Sequence, residues 1–159
     1  MTTAPTDGEL IAAAKSYVDA LVSHDPSGVP FHPDCVRIEL GVKTGRNGNH
    51  LRRSLARGPQ FRLIHTIGDF TAVVTDGDEA KRSSTQFDGD EAKRSSTQFA
   101  GDEAKRSSTP IGRVVHTTFY VDVHPKPLRL RALVTEGFEF DETGRITKIV
   151  AKFGIPRRH

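Results

Sequence analysis

The sequence predicts an α+β domain in which N-terminal helices pack on a curved, mainly antiparallel sheet. Two observations carry that expectation. Apolar residues recur at helical intervals near the start, and from Cys35 onward most segments alternate with the period of two that strands require, with a turn signal at Asp141-Glu142-Thr143-Gly144 before the last of them. At 159 residues the chain suits one domain, 1–159, with a core of ordinary size.

Thr6-Asp7-Gly8-Glu9 has capping-box spacing and precedes Leu10, Ala13, Ala14, Tyr17 and Leu21, so the first helix is expected from about Asp7 to Ser23, before Pro26. The stretch from Asp25 to Pro33 is rich in turn residues. Cys35 to Gly41 then reads as a strand, with Val36, Ile38 and Leu40 opposite Arg37 and Glu39. A short second helix fits Asn47 to Arg57, stopped by Gly58-Pro59. Phe61 to Thr75 reads as a strand bulged at Gly68-Asp69. Strands are further expected at Val114–Val123, Leu128–Phe140 and Arg145–Phe153, with His124 to Pro127 as a turn and Gly144 in the left-handed position of the last hairpin.

Between these strands Gly-Asp-Glu-Ala-Lys-Arg-Ser-Ser-Thr occurs three times unchanged, beginning at Gly77, Gly89 and Gly101. Diverged structural repeats keep an apolar skeleton and let the surface drift, because each unit must bury a face against its neighbours. These copies do the reverse: their charges balance and they lack an apolar face beyond Phe87 and Phe99. They are expected to form a loop or hairpin insertion at about 77–109, one copy of which is native.

A net charge of +3, spread along the chain, argues against a nucleic-acid partner, and Arg157-Arg158-His159 reads as a solvated tail. Cys35 is the single cysteine, so no intrachain disulfide forms and a cytoplasmic location is expected, with Cys35 a small buried hydrophobe. The first residues lack the pattern of a signal peptide and no apolar run is long enough to span a bilayer, so no membrane partner is expected.

The chemistry concentrates on Glu136. Period-two counting puts it on the same face as Leu128, Leu130, Ala132, Val134, Phe138 and Phe140. A carboxyl group removed from water favours its neutral form, which donates a hydrogen bond near neutral pH. The competing expectation is a carboxylate neutralised by an arginine or by water. Tyr17, on the apolar stripe of the first helix, is either core or functional. Glu39 either works as a base or pairs with Arg37 or Lys43.

Three stretches resemble the NTF2-like superfamily of ketosteroid isomerases and SnoaL-like polyketide cyclases: Tyr17 to Leu21 with His24-Asp25, Pro33 to Glu39, and Phe138 to Gly154. The resemblance implies a cone-shaped α+β fold, a pocket for a small apolar or polycyclic molecule, a homodimer and no cofactor. It places the oxyanion-binding tyrosine at Tyr17, the proton-shuttling base at Glu39 and the neutral acid at Glu136. In ketosteroid isomerase, a known case of a carboxylic acid kept neutral by an apolar site, the two acids are aspartates; here both are glutamates, and Leu40 stands where the family has a proline. His65 and His116 are secondary candidates through the superfamily's dehydratases. No metal-ligand spacing, glycine-rich phosphate loop or Ser-His-Asp pattern occurs. The expectation is therefore a ligand-binding cone with isomerase, cyclase or dehydratase chemistry, or alternatively a non-catalytic binding or dimerisation module. Ile146, Lys148, Val150 and Lys152, alternating along the last strand, are the expected dimer contact.

Overall fold

The computed structural model describes residues 3–77, 110–124, 127 and 130–158. The exact repeats beyond Gly77, the expected turn at Pro125 and Lys126, and the expected strand start at Leu128 lie outside them. Helix α1 (Asp7–Ser23) begins with the expected box: Thr6 Oγ1 accepts from the Glu9 N–H at 3.3 Å, and the Thr6 N–H donates to Glu9 Oε2 at 2.7 Å. It buries Leu10, Ala13, Ala14, Tyr17, Val18 and Leu21. Its end is set by His24, left-handed at φ 57°, whose N–H returns to the Ala20 carbonyl. Helix α2 (Gly48–Arg57) is capped by Asn47, buries Leu51 and Leu55, and is tied to the preceding loop by Arg52, which donates to the Pro26 and Val29 carbonyls.

The strands are β1 (Phe31–Glu39), β2 (Val42–Gly45), β3 (Ile64–Asp76), β4 (Pro110–Val123), β5 (Leu130–Asp141), β6 (Ile146–Phe153) and β7 (Arg157–Arg158), with a 3-10 turn at Phe61–Leu63. They form one curved, open sheet in the order β2-β1-β6-β5-β4-β3, with β7 pairing on β5. All pairs are antiparallel except β1 with β6. The helices cover the face carrying Val115, Phe119 and Val121 of β4, Ala132, Val134, Phe138 and Phe140 of β5, and Ile149 of β6, all buried. Both helices, the bulge after Gly68 with Asp69 at φ 53°, and Gly144 at φ 83° stand as the sequence predicts.

Four departures have local causes. Strand β1 starts at Phe31, before Pro33, because its ladder to β6 is interrupted between Phe31 and Val36, where a residue without an N–H does no harm. The β1–β2 hairpin was not legible, since its two-residue turn places Leu40 (φ 49°) and Gly41 (φ 82°) in left-handed backbone, and leucine is not a turn signal there. Arg157 and Arg158 are exposed, yet they pair with Arg131 and Leu130 instead of forming a free tail. The fourth departure concerns the faces. Arg37 points inward and is buried while Val36 and Ile38 are half-buried and Leu40 is exposed, because Arg37 pairs with the fully buried Ile149 and partners across a ladder share a face. Ile146 likewise belongs to the core, opposite Phe140, a register shift having turned it away from Lys148, Val150 and Lys152.

Candidate active site

One row across the sheet runs Thr117, Glu136, Ala151, Glu39 over β4, β5, β6 and β1. The neighbouring row runs Val115, Phe138, Ile149, Arg37. Ala151, a methyl group between two glutamates, leaves room that the long Arg37 side chain enters. Its Nη1 lies 2.5 Å from Glu39 Oε2 and 3.2 Å from Thr44 Oγ1, and its Nη2 lies 3.9 Å from Glu136 Oε1. Gly45, opposite Arg37, sits in close approach: a Cβ there would stand 2.4 Å from Leu51 Cδ2 and 2.9 Å from the Arg37 Cβ, so these side chains would have to shift. The rings of Phe61 and Phe153 flank the guanidinium, their centroids 5.6 and 6.0 Å away.

Tyr17 reaches this cluster from α1. Its ring packs edge-on against Phe138, with centroids 5.5 Å apart, and against Phe31 at 6.1 Å, while its hydroxyl stands in the field of Arg37 and Glu136. The structure thus brings three of the expected residues together around Arg37, which sequence reasoning named only as a partner for Glu39. Tyr17 and Glu136 are wholly buried, whereas the Glu39 side chain keeps 30% exposure. Both carboxyl oxygens of Glu136 and Arg37 Nε make no hydrogen bond among the described residues, and the polar neighbour of the Tyr17 hydroxyl is the Arg37 guanidinium. Buried polar atoms without partners are uncommon, and here they gather on Arg37 and the Glu136 carboxyl next to it.

The electrostatics follow from burial. Desolvation pushes the Glu136 carboxyl up to about 7, against the pull of Arg37 and with the help of Glu39. Burial pushes the Tyr17 phenol above its ordinary value, Arg37 drawing it partly back. Burial also works against the charge on Arg37, but Tyr17, Glu136 and Glu39 together hold the guanidinium protonated. The cluster therefore contains the Arg37–Glu39 contact, a phenol whose pKa burial raises, and a carboxyl that burial pushes up to about 7.

The two histidines lie elsewhere. His116 is exposed on the opposite face of the sheet, its Nε2 3.1 Å from Thr75 Oγ1. His65, at the start of β3, packs on His124 with ring centroids 4.8 Å apart. Neither is among the groups that act on Tyr17, Arg37 or Glu136. On that outer face a hollow of about 360 Å³ opens beside Gly137, whose missing side chain leaves a gap between His116 and Val150. Cys35 is buried, and burial pushes its thiol up to about 12, as suits an inert core residue. Among the described residues no group of three or more His, Cys, Asp or Glu could hold a metal ion, and no helix is long and apolar enough to cross a membrane.

Comparison with solved structures places this geometry on a known fold. AusH from Aspergillus nidulans superposes over 94% of this chain and 86% of its own, at 12% identity and a TM-score of 0.54. An LEH-like epoxide hydrolase of M. tuberculosis (19% identity, 94% of this chain and 86% of that one, TM-score 0.48) and a steroid delta-isomerase of Pseudomonas aeruginosa (14%, 96% and 85%, 0.49) overlap more loosely and carry no further weight. The fold is the NTF2-like α+β cone that the first-helix, first-strand and closing-hairpin residues resemble. No curated protein matches in sequence. The family model for DUF8021, a domain of unknown function, matches residues 3–153, from ahead of the capping box to the end of β6, and the chain belongs to that family.

Proposed function

We propose that the cone takes a small, largely apolar molecule bearing a carbonyl or enol oxygen, and that this oxygen completes the cluster of Tyr17, Arg37 and Glu136. The observation that carries the proposal is the set of buried atoms without hydrogen-bond partners, Glu136 Oε1 and Oε2 and Arg37 Nε, with the Tyr17 hydroxyl beside the guanidinium. A phenol and a neutral carboxylic acid are both donors, and donors fixed in a dry interior stabilise negative charge growing on a carbonyl oxygen. Arg37 adds a positive charge that needs no proton exchange. Glu39, oriented by Arg37 and partly open to solvent, carries the proton between the ligand carbon and water. The chemistry is proton transfer beside a carbonyl, of the isomerase, cyclase or dehydratase kind, and it calls on no cofactor.

A non-catalytic module, binding or dimerising, has one observation in its favour. Tyr17 and Glu136 are closed off, and the Phe61 and Phe153 rings lie against the guanidinium, so a ligand enters only as these rings move. Hydrogen–deuterium exchange separates the two. A panel of cyclic and polycyclic ketones in D2O should lose α-protons faster with the protein present, and Glu39→Gln should slow this by about 100-fold or more. Ketones that bind without exchange would make the protein a binder, and a panel that neither binds nor exchanges would leave only the dimerisation module.

A further inference from the structure

Strand β2 is four residues long and lies at the edge of the sheet, yet three features of its hairpin bear on one side chain of the cluster. At the β1–β2 turn Leu40 and Gly41 stand in left-handed backbone, a conformation that a leucine adopts at a cost. Beyond the turn β2 uses Lys43, Thr44 and Gly45 where β1 uses Ile38 and Arg37, so Thr44 is the extra residue of a β-bulge. Bulges break the alternation of side chains and re-aim one of them. Gly45, lacking a side chain, lets β2 come close to Arg37. The result is an exposed threonine whose hydroxyl stands 3.2 Å from Nη1 of the buried Arg37.

The guanidinium is therefore held unevenly. Nη1 donates to both Glu39 Oε2 and Thr44 Oγ1, while Nη2 stops 3.9 Å from Glu136 Oε1, beyond hydrogen-bond distance. Around Glu136 stand Tyr17 of α1, Thr117 of β4, Ala151 of β6, and Arg37 with Glu39 of β1, so Arg37 is the cation that acts on it. A full Arg37–Glu136 hydrogen bond would occupy the carboxyl and favour its charged form. Glu39 alone does not prevent that bond, because a guanidinium can fork between two carboxylates, one on each Nη. A single contact at Nη1 also leaves the plane free to pivot. Thr44 adds a second anchor on the same nitrogen and fixes the turn of the plane.

We propose that Thr44 is a positioning residue: its hydroxyl pins the Arg37 guanidinium on the Glu39 side of the cluster, so that the Glu136 carboxyl stays open to a ligand oxygen. The left-handed turn, the bulge and Gly45 serve to deliver that hydroxyl. Thr44 acts through Arg37 and not on the ligand. The proposal rests on the reading of Tyr17, Arg37 and Glu136 as one site, and its test needs no ligand.

Carbon-detected NMR titration of Glu136 in the full, ligand-free chain tests it, with the parent set beside Thr44→Val and Thr44→Ser. Thr44→Val keeps the branched shape at an exposed position and removes the acceptor, so the melting temperature should stay close to that of the parent. Arg37 then turns onto Glu136, and closing the gap by about 1 Å should lower the Glu136 midpoint by about one unit. Thr44→Ser, which restores the hydroxyl, should return the midpoint to the parent value. A midpoint that Thr44→Val leaves in place, or that Thr44→Ser lowers equally, would overturn the proposal, as would a fall in melting temperature without a shift. The proposed function fails separately, on a ketone panel that neither binds nor exchanges. A parent midpoint at or below 4.5 would overturn both.

Discussion

Glu136 is the residue on which the interior chemistry turns. Its folded pKa lies above the unfolded one, about 7 against 4.5, so the carboxyl costs nothing below the unfolded value and progressively disfavours folding as pH rises toward the folded one. Glu136→Gln keeps the shape and removes the titration. Its advantage over the parent in urea denaturation should therefore grow between about pH 4 and pH 8, by on the order of 3 kcal/mol, and then level off. A pH-independent difference would mean that Glu136 does not titrate in this window. Arg37→Met leaves two carboxyl groups facing a common space without their cation; a loss on the order of 3 kcal/mol is expected, with the Glu136 midpoint pushed higher still. Period-two counting was enough to place Glu136, and helical spacing to place Tyr17. Arg37 was hidden because Val36, Ile38 and Leu40 look like a core face, and only the pairing with Ile149 shows that the sheet buries the other side.

At the level of elements, the sequence spoke clearly wherever a local signal sufficed. Thr6→Ala removes the side-chain oxygen that caps α1 and should cost about 1 kcal/mol, read as a lower midpoint in chemical denaturation. Gly45→Ala forces a methyl group against Leu51 and Arg37, so the β2–α2 seat must shift. It should destabilise the chain by roughly 1–3 kcal/mol, and any ligand binding should weaken with it because Arg37 moves. Strand faces and edges were less legible than caps and turns. The orientation of β1 and the attachment of β7 depend on strands far away in sequence, and the β1–β2 turn uses a leucine where turn chemistry favours asparagine or glycine.

On the scale of the molecule, the fold class was written in the order of periodicities, whereas assembly and the insertion are matters for measurement. Asp76 pairs with Arg113, so the chain leaves β3 and re-enters β4 at neighbouring points, and the segment between them closes a loop whatever its length. Deleting two of the twelve-residue periods should leave the melting temperature unchanged or slightly raised, since the closure entropy recovered is about 1 kcal/mol. A large fall would show that the repeats are packed. The outer face of the sheet bears the exposed Val73, Tyr120 and Leu133 beside the hollow at Gly137, and we propose that two copies pair there; sedimentation at micromolar concentration should give a dimer that Val73→Asp weakens. The central claim is that the cone holds an acid that exchanges its proton near neutrality inside a dry cluster. Carbon-detected NMR titration of the ligand-free protein, with Glu136→Gln to assign the signal, measures this directly. A Glu136 carboxyl midpoint near 7 is the predicted result, and a midpoint at or below 4.5 would show a carboxylate held charged by Arg37 and contradict it.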